Sequence, residues 1–139
     1  MHDSVIGASL PSVAALAYLG DARHSLFVRH MLVAKGISKS GELNELSLGF
    51  VTAEAQARAY EKIEPYLTED ERSVFKRAFN STHLNKPKRA SGKDYRTATG
   101  FGAVIGMLHW LGDEKRIDEL LSKTLENDTD GGQKNDTEN

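Results

Sequence analysis

Cysteine is absent from this sequence of 139 residues, which excludes both a disulfide framework and a thiolate zinc site. Long apolar runs are absent too, since none approaches the ~20 residues that a membrane-spanning helix needs. The first ten residues lack the basic start and the long apolar stretch of a signal peptide. Together these absences predict a cytoplasmic protein with no membrane partner.

The composition is that of an ordinary globular protein, because 39% of the residues are hydrophobic and 27% are charged. The length suits one domain with a single hydrophobic core. Residues 127–139 are polar, contain glycine and carry almost no apolar side chains, which is typical of disorder. We therefore expect one domain over residues 1–126, followed by a disordered polar tail over residues 127–139.

The net charge is only −2, but it is distributed unevenly along the chain. Residues 72–96 contain eight lysines and arginines against the single acid Asp94, whereas residues 1–71 and 111–139 are both acidic in sum. A stretch of this kind allows a weakly acidic protein to present a basic surface to phosphates. The charges alone are equally compatible with a solvated loop that has no partner.

Apolar residues recur at helical spacing, and no segment alternates convincingly with a period of two. A start signal at Pro11 precedes a long helix that is predicted to end near Ala34, before Gly36. Further helices are predicted around residues 41–48, from Thr52 to Pro65, after a capping box at Thr68, over residues 93–112 and from Asp113 onward. Residues 80–93 form the predicted basic loop. The predicted fold class is therefore all-α.

Three stretches carry a resemblance to a known family. Residues 16–22 (LAYLGDA) look like the ribonuclease III signature, residues 50–57 (FVTAEAQA) are similar to a Mini-ribonuclease III segment, and residues 94–106 (DYRTATGFGAVIG) look like the second acidic segment. Their order also agrees, so the chain resembles Mini-ribonuclease III over roughly residues 10–126. The resemblance implies a homodimeric, helical ribonuclease III-like endonuclease domain and Mg²⁺-dependent cleavage of double-stranded RNA. It also implies precursor large-subunit ribosomal RNA as the natural substrate.

Asp21 is the candidate catalytic residue and metal ligand. Hydrolysis of a phosphodiester needs an activated water and a stabilised leaving oxygen, and Mg²⁺ held by carboxylates supplies both. Helix propensity explains an aspartate inside an apolar helix poorly, and the neighbouring Gly20 would let a ligand or another backbone approach closely. The structural alternative is a buried aspartate that is hydrogen bonded to a neighbouring helix.

The main departure from the family pattern is Gly102, where the pattern has a glutamate that acts as a principal metal ligand. Glycine has no side chain, so its presence should weaken transition-state stabilisation by several kcal/mol. Asp94 is a poor substitute, because it lies two helical turns earlier, about 12 Å along a helix axis. Gly102 and Gly106 also form a stripe of small residues with Ala98, which predicts close helix packing.

The resemblance also supplies a candidate RNA-binding set of polar and basic residues: Arg29, Lys76, Arg77, Asn80, Lys88 and Arg96. Their cations would bind phosphates and give affinity without sequence readout, as is usual for A-form RNA. Three other residues are predicted to be structural. His30, on an apolar helix face, is a predicted core residue, and His109 and Trp110 are predicted core or interface residues.

Three hypotheses are compatible with the sequence. The leading one is an RNA-processing endonuclease, a homodimer in which each protomer supplies one site around Asp21. The second is a catalytically impaired or inactive RNA-binding or ribosome-assembly module on the same fold, because Gly102 replaces the expected glutamate. The third is a helical dimerisation protein without a nucleic-acid partner, which leaves the basic stretch and the three matched segments unexplained.

Overall fold

The computed structural model describes residues 9–81 and 92–126. Six α-helices lie in these ranges, and no strand does: α1 (Val13–Ala34), α2 (Ser40–Val51), α3 (Ala53–Ile63), α4 (Glu69–Asn80), α5 (Gly92–Trp110) and α6 (Glu114–Lys123). A short 3₁₀ helix, Glu64–Tyr66, connects α3 to α4. The all-α prediction is confirmed, whereas the predicted tail and most of the basic loop lie outside the described residues. No described helix is both long enough and apolar enough to span a bilayer.

Local capping explains where four of the helices begin. In each case the residue before the helix accepts a hydrogen bond from the backbone N–H three positions later, through the side chains of Ser12, Thr52, Thr68 and Asp113. The capping box predicted at Thr68 is present, because Glu71 Oε1 accepts the Thr68 N–H at 2.8 Å. Helix α1 ends before Gly36, whose φ of +94° favours glycine.

Helix α5 is the centre of the fold, since it packs against α1, α3, α4 and α6. Almost every residue between Thr97 and Leu108 is buried, as expected for a helix that is apolar on all faces. Phe101 of α5 belongs to one core cluster with Leu16 of α1, Ile63 of α3 and Leu120 of α6. Four of the other five helices therefore take their positions from α5, and α2 packs on α1 and α3 instead.

Helices α1 and α5 cross at a contact between glycines. A Cβ atom added at Gly106 would lie 1.9 Å from the carbonyl oxygen of Leu16, and one added at Gly20 would lie 1.7 Å from the carbonyl oxygen of Gly102. Cβ atoms essentially never come this close to backbone atoms, so only glycine fits at either position. The close packing predicted for Gly106 is confirmed, and the crossing sets Asp21, which follows Gly20, beside the Gly102 segment.

The prediction that His30 belongs to the core is wrong. The buried residues of α1 follow each other at intervals of four, through Gly20, His24 and Val28, and His30 lies about half a turn from this line. The buried histidine is His24, which is 2% exposed and packs edge-to-face on Phe101. Trp110 is 56% exposed, so it is not a core residue either, and a role at an interface stays a prediction.

Candidate active site

A cleft of about 440 Å³ opens between α1, α5 and the junction of α2 with α3. Small and polar residues line it: Ala14, Ala17, Tyr18, Asp21, Val51, Ala53, Gln56, Ser81, Tyr95, Ala98, Thr99 and Gly102. The cleft thus joins Asp21 to Gly102 although the two lie far apart in the sequence. Asp21 is exposed to solvent, which contradicts the alternative of a buried aspartate.

Asp21 is the one carboxylate that lines this cleft among the residues that the structure describes. Its Oδ1 accepts a hydrogen bond of 3.2 Å from the side-chain amide of Gln56. No other described residue donates a hydrogen bond to this carboxylate, so Oδ2 keeps its lone pairs for a ligand. A carboxylate of this kind can hold a cation at the cleft surface.

Gly102 forms the wall of the cleft on the α5 side. A Cβ atom at this position would lie 3.0 Å from the carbonyl oxygen of Ala17 and 3.5 Å from its Cα atom. This contact is tight, and the backbone of Ala17 has to give by a few tenths of an ångström to admit a Cβ atom. Close packing therefore demands glycine at Gly106 and opposes a side chain less strongly at Gly102.

Among the residues that the structure describes, no second carboxylate takes the place of the glutamate that the family pattern has at position 102. Asp94 is not a lining residue of the cleft, and its Oδ1 forms an ion pair with Arg58 at 3.0 Å. Thr99 does line the cleft, but its hydroxyl donates to the carbonyl oxygen of Tyr95 at 3.0 Å. Within residues 9–81 and 92–126, no group of three or more histidine, cysteine or acidic residues could hold a metal ion.

The donors of the cleft nevertheless fit a hydrated magnesium ion. Proteins bind Mg²⁺ through one or two carboxylates, and several waters and substrate phosphates complete the coordination. The exposed carboxylate of Asp21 meets that minimum. A single carboxylate does not fit a cation whose whole coordination shell consists of protein ligands.

Three of the predicted RNA-binding residues lie at the end of α4. Lys76, Arg77 and Asn80 are exposed, and Ser81, which directly follows α4, lines the cleft. Lys76 and Asn80 share one face of the helix because they are four residues apart. Asn80 therefore adjoins a residue of the cleft, and the two cations lie on the same helix within the turn before Asn80.

The other three predicted RNA-binding residues lie elsewhere. Arg29 lines a separate groove of about 270 Å³ between α1 and α2. Arg96 is half-buried, with its guanidinium 4.6 Å from the ring centre of Phe79 and its Nε donating to the Phe79 carbonyl oxygen at 3.3 Å. Lys88 lies outside the described residues. Contact of all six residues with RNA stays a prediction.

Two polar residues near Asp21 received no role from the sequence. Gln56 is 5% exposed and contacts Asp21 directly. Burial lowers the pKa of His24 to about 4, and the nearby charge of Asp21 opposes this effect. A spacing of four residues from Gly20 could have identified His24, whereas the contact of Gln56 with Asp21 had no signal in the sequence.

A profile of the ribonuclease III domain matches residues 14–113 of this chain, a range that includes both Asp21 and Gly102. The chain therefore belongs to the ribonuclease III family, a class of endoribonucleases.

Within that family the similarity is to Mini-ribonuclease III. The Mini-ribonuclease 3 of Brevibacillus brevis is 40% identical, over 84% of this chain and 87% of its own. The proteins of that name from Clostridium tetani and Streptococcus pneumoniae are each 38% identical, over 79% and 85% of this chain and 74% and 94% of their own. A crystal structure of a Fusobacterium nucleatum protein is 30% identical, has a TM-score of 0.73 and covers 80% of this chain and 88% of its own. The predicted resemblance of the chain to Mini-ribonuclease III is confirmed.

Proposed function

We propose that this chain is a Mg²⁺-dependent endoribonuclease that cleaves double-stranded RNA with Asp21 at the centre of its site. The observation that carries the proposal is the exposed Asp21 carboxylate, which faces the Gly102 wall of the cleft. Family membership supports the reaction type. The resemblance to Mini-ribonuclease III further supports a cytoplasmic homodimer with one cleft in each protomer, acting on precursor large-subunit ribosomal RNA.

Different residues would bind the cation and the RNA phosphates. Asp21 would hold the magnesium ion, which when bound activates a water and stabilises the leaving oxygen. Gln56 holds one oxygen of the Asp21 carboxylate and leaves the other for the ligand. Lys76 and Arg77 would bind phosphates of the duplex near the cleft edge, with release of counterions.

A second candidate function is favoured by Gly102. Its position in the cleft wall has no side chain, Asp94 does not line the cleft and pairs with Arg58, and Thr99 offers only a hydroxyl. A site with one carboxylate should bind the cation and stabilise the transition state less well than a site with two. The alternative is therefore a catalytically impaired or inactive member of the family that binds RNA and serves in ribosome assembly.

Cleavage of a labelled RNA duplex, measured with and without Mg²⁺, tests both candidates. The purified full chain is compared with Asp21→Ala and with Gly102→Glu. We expect Mg²⁺-dependent cleavage that Asp21→Ala lowers by about 1,000-fold or more, and that Gly102→Glu raises by about 100-fold. The Cβ atom of the added glutamate would lie 3.0 Å from the carbonyl oxygen of Ala17, so the backbone of α1 has to give by a few tenths of an ångström to admit it.

The outcomes separate the hypotheses. Cleavage that survives in Asp21→Ala excludes the proposed mechanism. Binding without cleavage in the original chain, together with cleavage gained in Gly102→Glu, favours the inactive RNA-binding module. Absence of duplex binding at low salt favours a dimerisation protein without a nucleic-acid partner.

Phosphate binding by α4 has its own control. Replacing both Lys76 and Arg77 with alanine should reduce the slope of log K against log salt by about 2, since each phosphate contact contributes roughly one unit. Arg72→Ala on the same helix is the matched variant, because Arg72 pairs with Glu64 instead of pointing a free charge at the cleft. An equal effect of both changes would mean that α4 does not bind RNA at this end.

A further inference from the structure

We propose that Gln56 is a positioning residue, which holds the Asp21 carboxylate in the orientation that receives the cation. This inference rests on the proposed function, because it assigns a task to a residue of the same cleft. Gln56 itself would touch neither the cation nor the RNA.

The geometry of the Gln56 amide carries the inference. Its Nε2 lies 3.2 Å from Asp21 Oδ1 and also 3.2 Å from the carbonyl oxygen of Val51. A carboxamide nitrogen has two hydrogens, so each acceptor can take one of them. Gln56 is only 5% exposed. Its amide bridges the Val51 carbonyl oxygen, which belongs to the backbone, and the Asp21 carboxylate.

The backbone atom at the far end of this bridge is well placed to act as an anchor. Val51 is the last residue of α2, and Thr52 caps the start of α3 by accepting the Ala55 N–H at 3.2 Å. Gln56 is the fourth residue of α3. The orientation of Asp21 on α1 is therefore coupled to the junction of α2 with α3, which forms the opposite wall of the cleft.

A neutral donor suits this task better than the alternatives at position 56. Glutamate there would place a second negative charge near Asp21 Oδ1, and the two carboxylates would repel each other. Methionine has a similar length but no N–H, so it would leave Oδ1 without a partner and Asp21 free to rotate. Partners that orient metal-binding carboxylates commonly change metal affinity or activity by about 10–100-fold when they are removed.

The contact itself is tested by nuclear magnetic resonance without any substrate. In the free protein, Asp21→Ala should shift the side-chain amide signals of Gln56 and speed their hydrogen exchange. Binding of Mn²⁺ or Mg²⁺ alone, measured by calorimetry, should weaken by about 10–100-fold in Gln56→Met. Unchanged amide signals in Asp21→Ala would overturn the proposal even if Gln56→Met failed to fold.

The kinetic test uses the full chain with the original Gly102 and the Gly102→Glu variant. In whichever of these cleaves, Gln56→Met should lower kcat by about 10–100-fold and leave KM for the duplex within about 2-fold. Thr52→Ala is the matched control, since it loosens the same junction without removing a contact of Asp21. Equal losses of kcat and cation affinity in both variants would reduce Gln56 to a structural role and overturn the proposal.

Failure of the inference is distinguishable from failure of the proposed function. If neither the original chain nor Gly102→Glu cleaves RNA, the nuclease proposal fails, and cation binding with the amide signals still decides the role of Gln56. If cleavage is normal but Gln56→Met changes neither kcat nor cation affinity, the positioning role fails in an active nuclease.

Discussion

Glu71 on α4 and Asp21 on α1 are two acids that each accept a hydrogen bond from another helix, yet their surroundings are opposite. Glu71 is 3% exposed and accepts hydrogen bonds of 2.8–2.9 Å from Thr68 N–H and from Nε and Nη2 of Arg116. Asp21 is exposed and accepts one neutral amide at 3.2 Å. The first carboxylate is saturated by the protein, and the second is left open to a ligand.

The electrostatics of Glu71 follow from this saturation. Burial by itself raises the pKa of Glu71, but the hydrogen bonds from Arg116 and Thr68 outweigh it and hold the pKa below its ordinary value. Such a group supports the fold and is unavailable for chemistry. The number of hydrogen-bond donors around a carboxylate, more than its burial alone, thus separates a structural acid from a candidate site.

The largest expected effect comes from removing the partner of Glu71. Arg116→Met leaves a buried carboxylate without its cation, which should lower the free energy of unfolding by about 3–5 kcal/mol. Urea unfolding measures this loss. Arg72→Met removes an exposed pair with Glu64 and should cost less than about 1 kcal/mol. Equal effects of the two changes would show that the buried pair of Glu71 with Arg116 stabilises the fold no more than an exposed ion pair does.

The two regions should also respond to acid in different pH ranges. The pKa of His24, near Asp21, falls from 6.5 to about 4 on folding, so the unfolded chain binds a proton that the folded chain does not. The contribution of His24 to the free energy of unfolding is therefore complete above pH 6.5. It should decrease by about 3 kcal/mol as the pH falls to about 4.

Glu71 behaves differently, because its folded pKa lies below the ordinary 4.5. Its contribution is intact above that value and is lost as the pH falls through the lower folded pKa. Urea unfolding at a series of pH values separates the two, with His24→Leu as the variant in which the loss between pH 6.5 and 4 should disappear. A loss that persists in His24→Leu would assign this range to another group.

A smaller difference is expected between two glycines of α5. Gly106→Ala forces a Cβ atom against the Leu16 carbonyl oxygen and should cost about 2 kcal/mol or more. Gly102→Ala should stay within about 1 kcal/mol of the original, since the gain in helix propensity opposes the cost of a tight contact that a small backbone shift can relieve. Thermal unfolding of the two variants measures the difference, and similar melting temperatures would mean that the cleft wall is packed as tightly as the helix crossing.

The smallest effect is expected at Asp21 itself. Asp21→Asn keeps an oxygen that can accept the Gln56 amide, so the free energy of unfolding should change by less than about 0.5 kcal/mol. Glu71→Gln, the same exchange in the saturated region, should cost about 1–3 kcal/mol because charge-assisted hydrogen bonds are lost. Urea unfolding of both variants is the measurement. A large loss of stability in Asp21→Asn would place Asp21 among the structural acids.

The helices could be predicted from the sequence because their signals are local. Ser12, Thr52, Thr68 and Asp113 each act on a backbone group three residues away, and Gly36 acts at its own position. The end of α2 differs from the prediction, since the helix extends to Val51 rather than to residue 48. No side-chain signal marks that end, where the chain turns directly into α3.

The site could be predicted only in part. Asp21 and Gly102 came from the resemblance, and the structure brings them to one cleft. The bond between Gln56 and Asp21 joins residues 35 apart on different helices, and helix periodicity does not specify such a tertiary contact. The sequence predicted His30 as the buried histidine, whereas the structure buries His24. This error has the same cause, because only packing against α5 decides which side of α1 is covered.

Gly102 also affects how easily position 102 can change in evolution. Codons for glycine and glutamate, such as GGA and GAA, differ by one base, and the fold opposes a side chain less strongly at this position than at Gly106. A lineage could therefore lose or regain this carboxylate by one mutation at a smaller packing cost than a change at residue 106 would carry. Selection for the activity of the protein toward RNA would then decide which residue is kept at position 102. Residue 106 stays glycine because of the backbone that faces it.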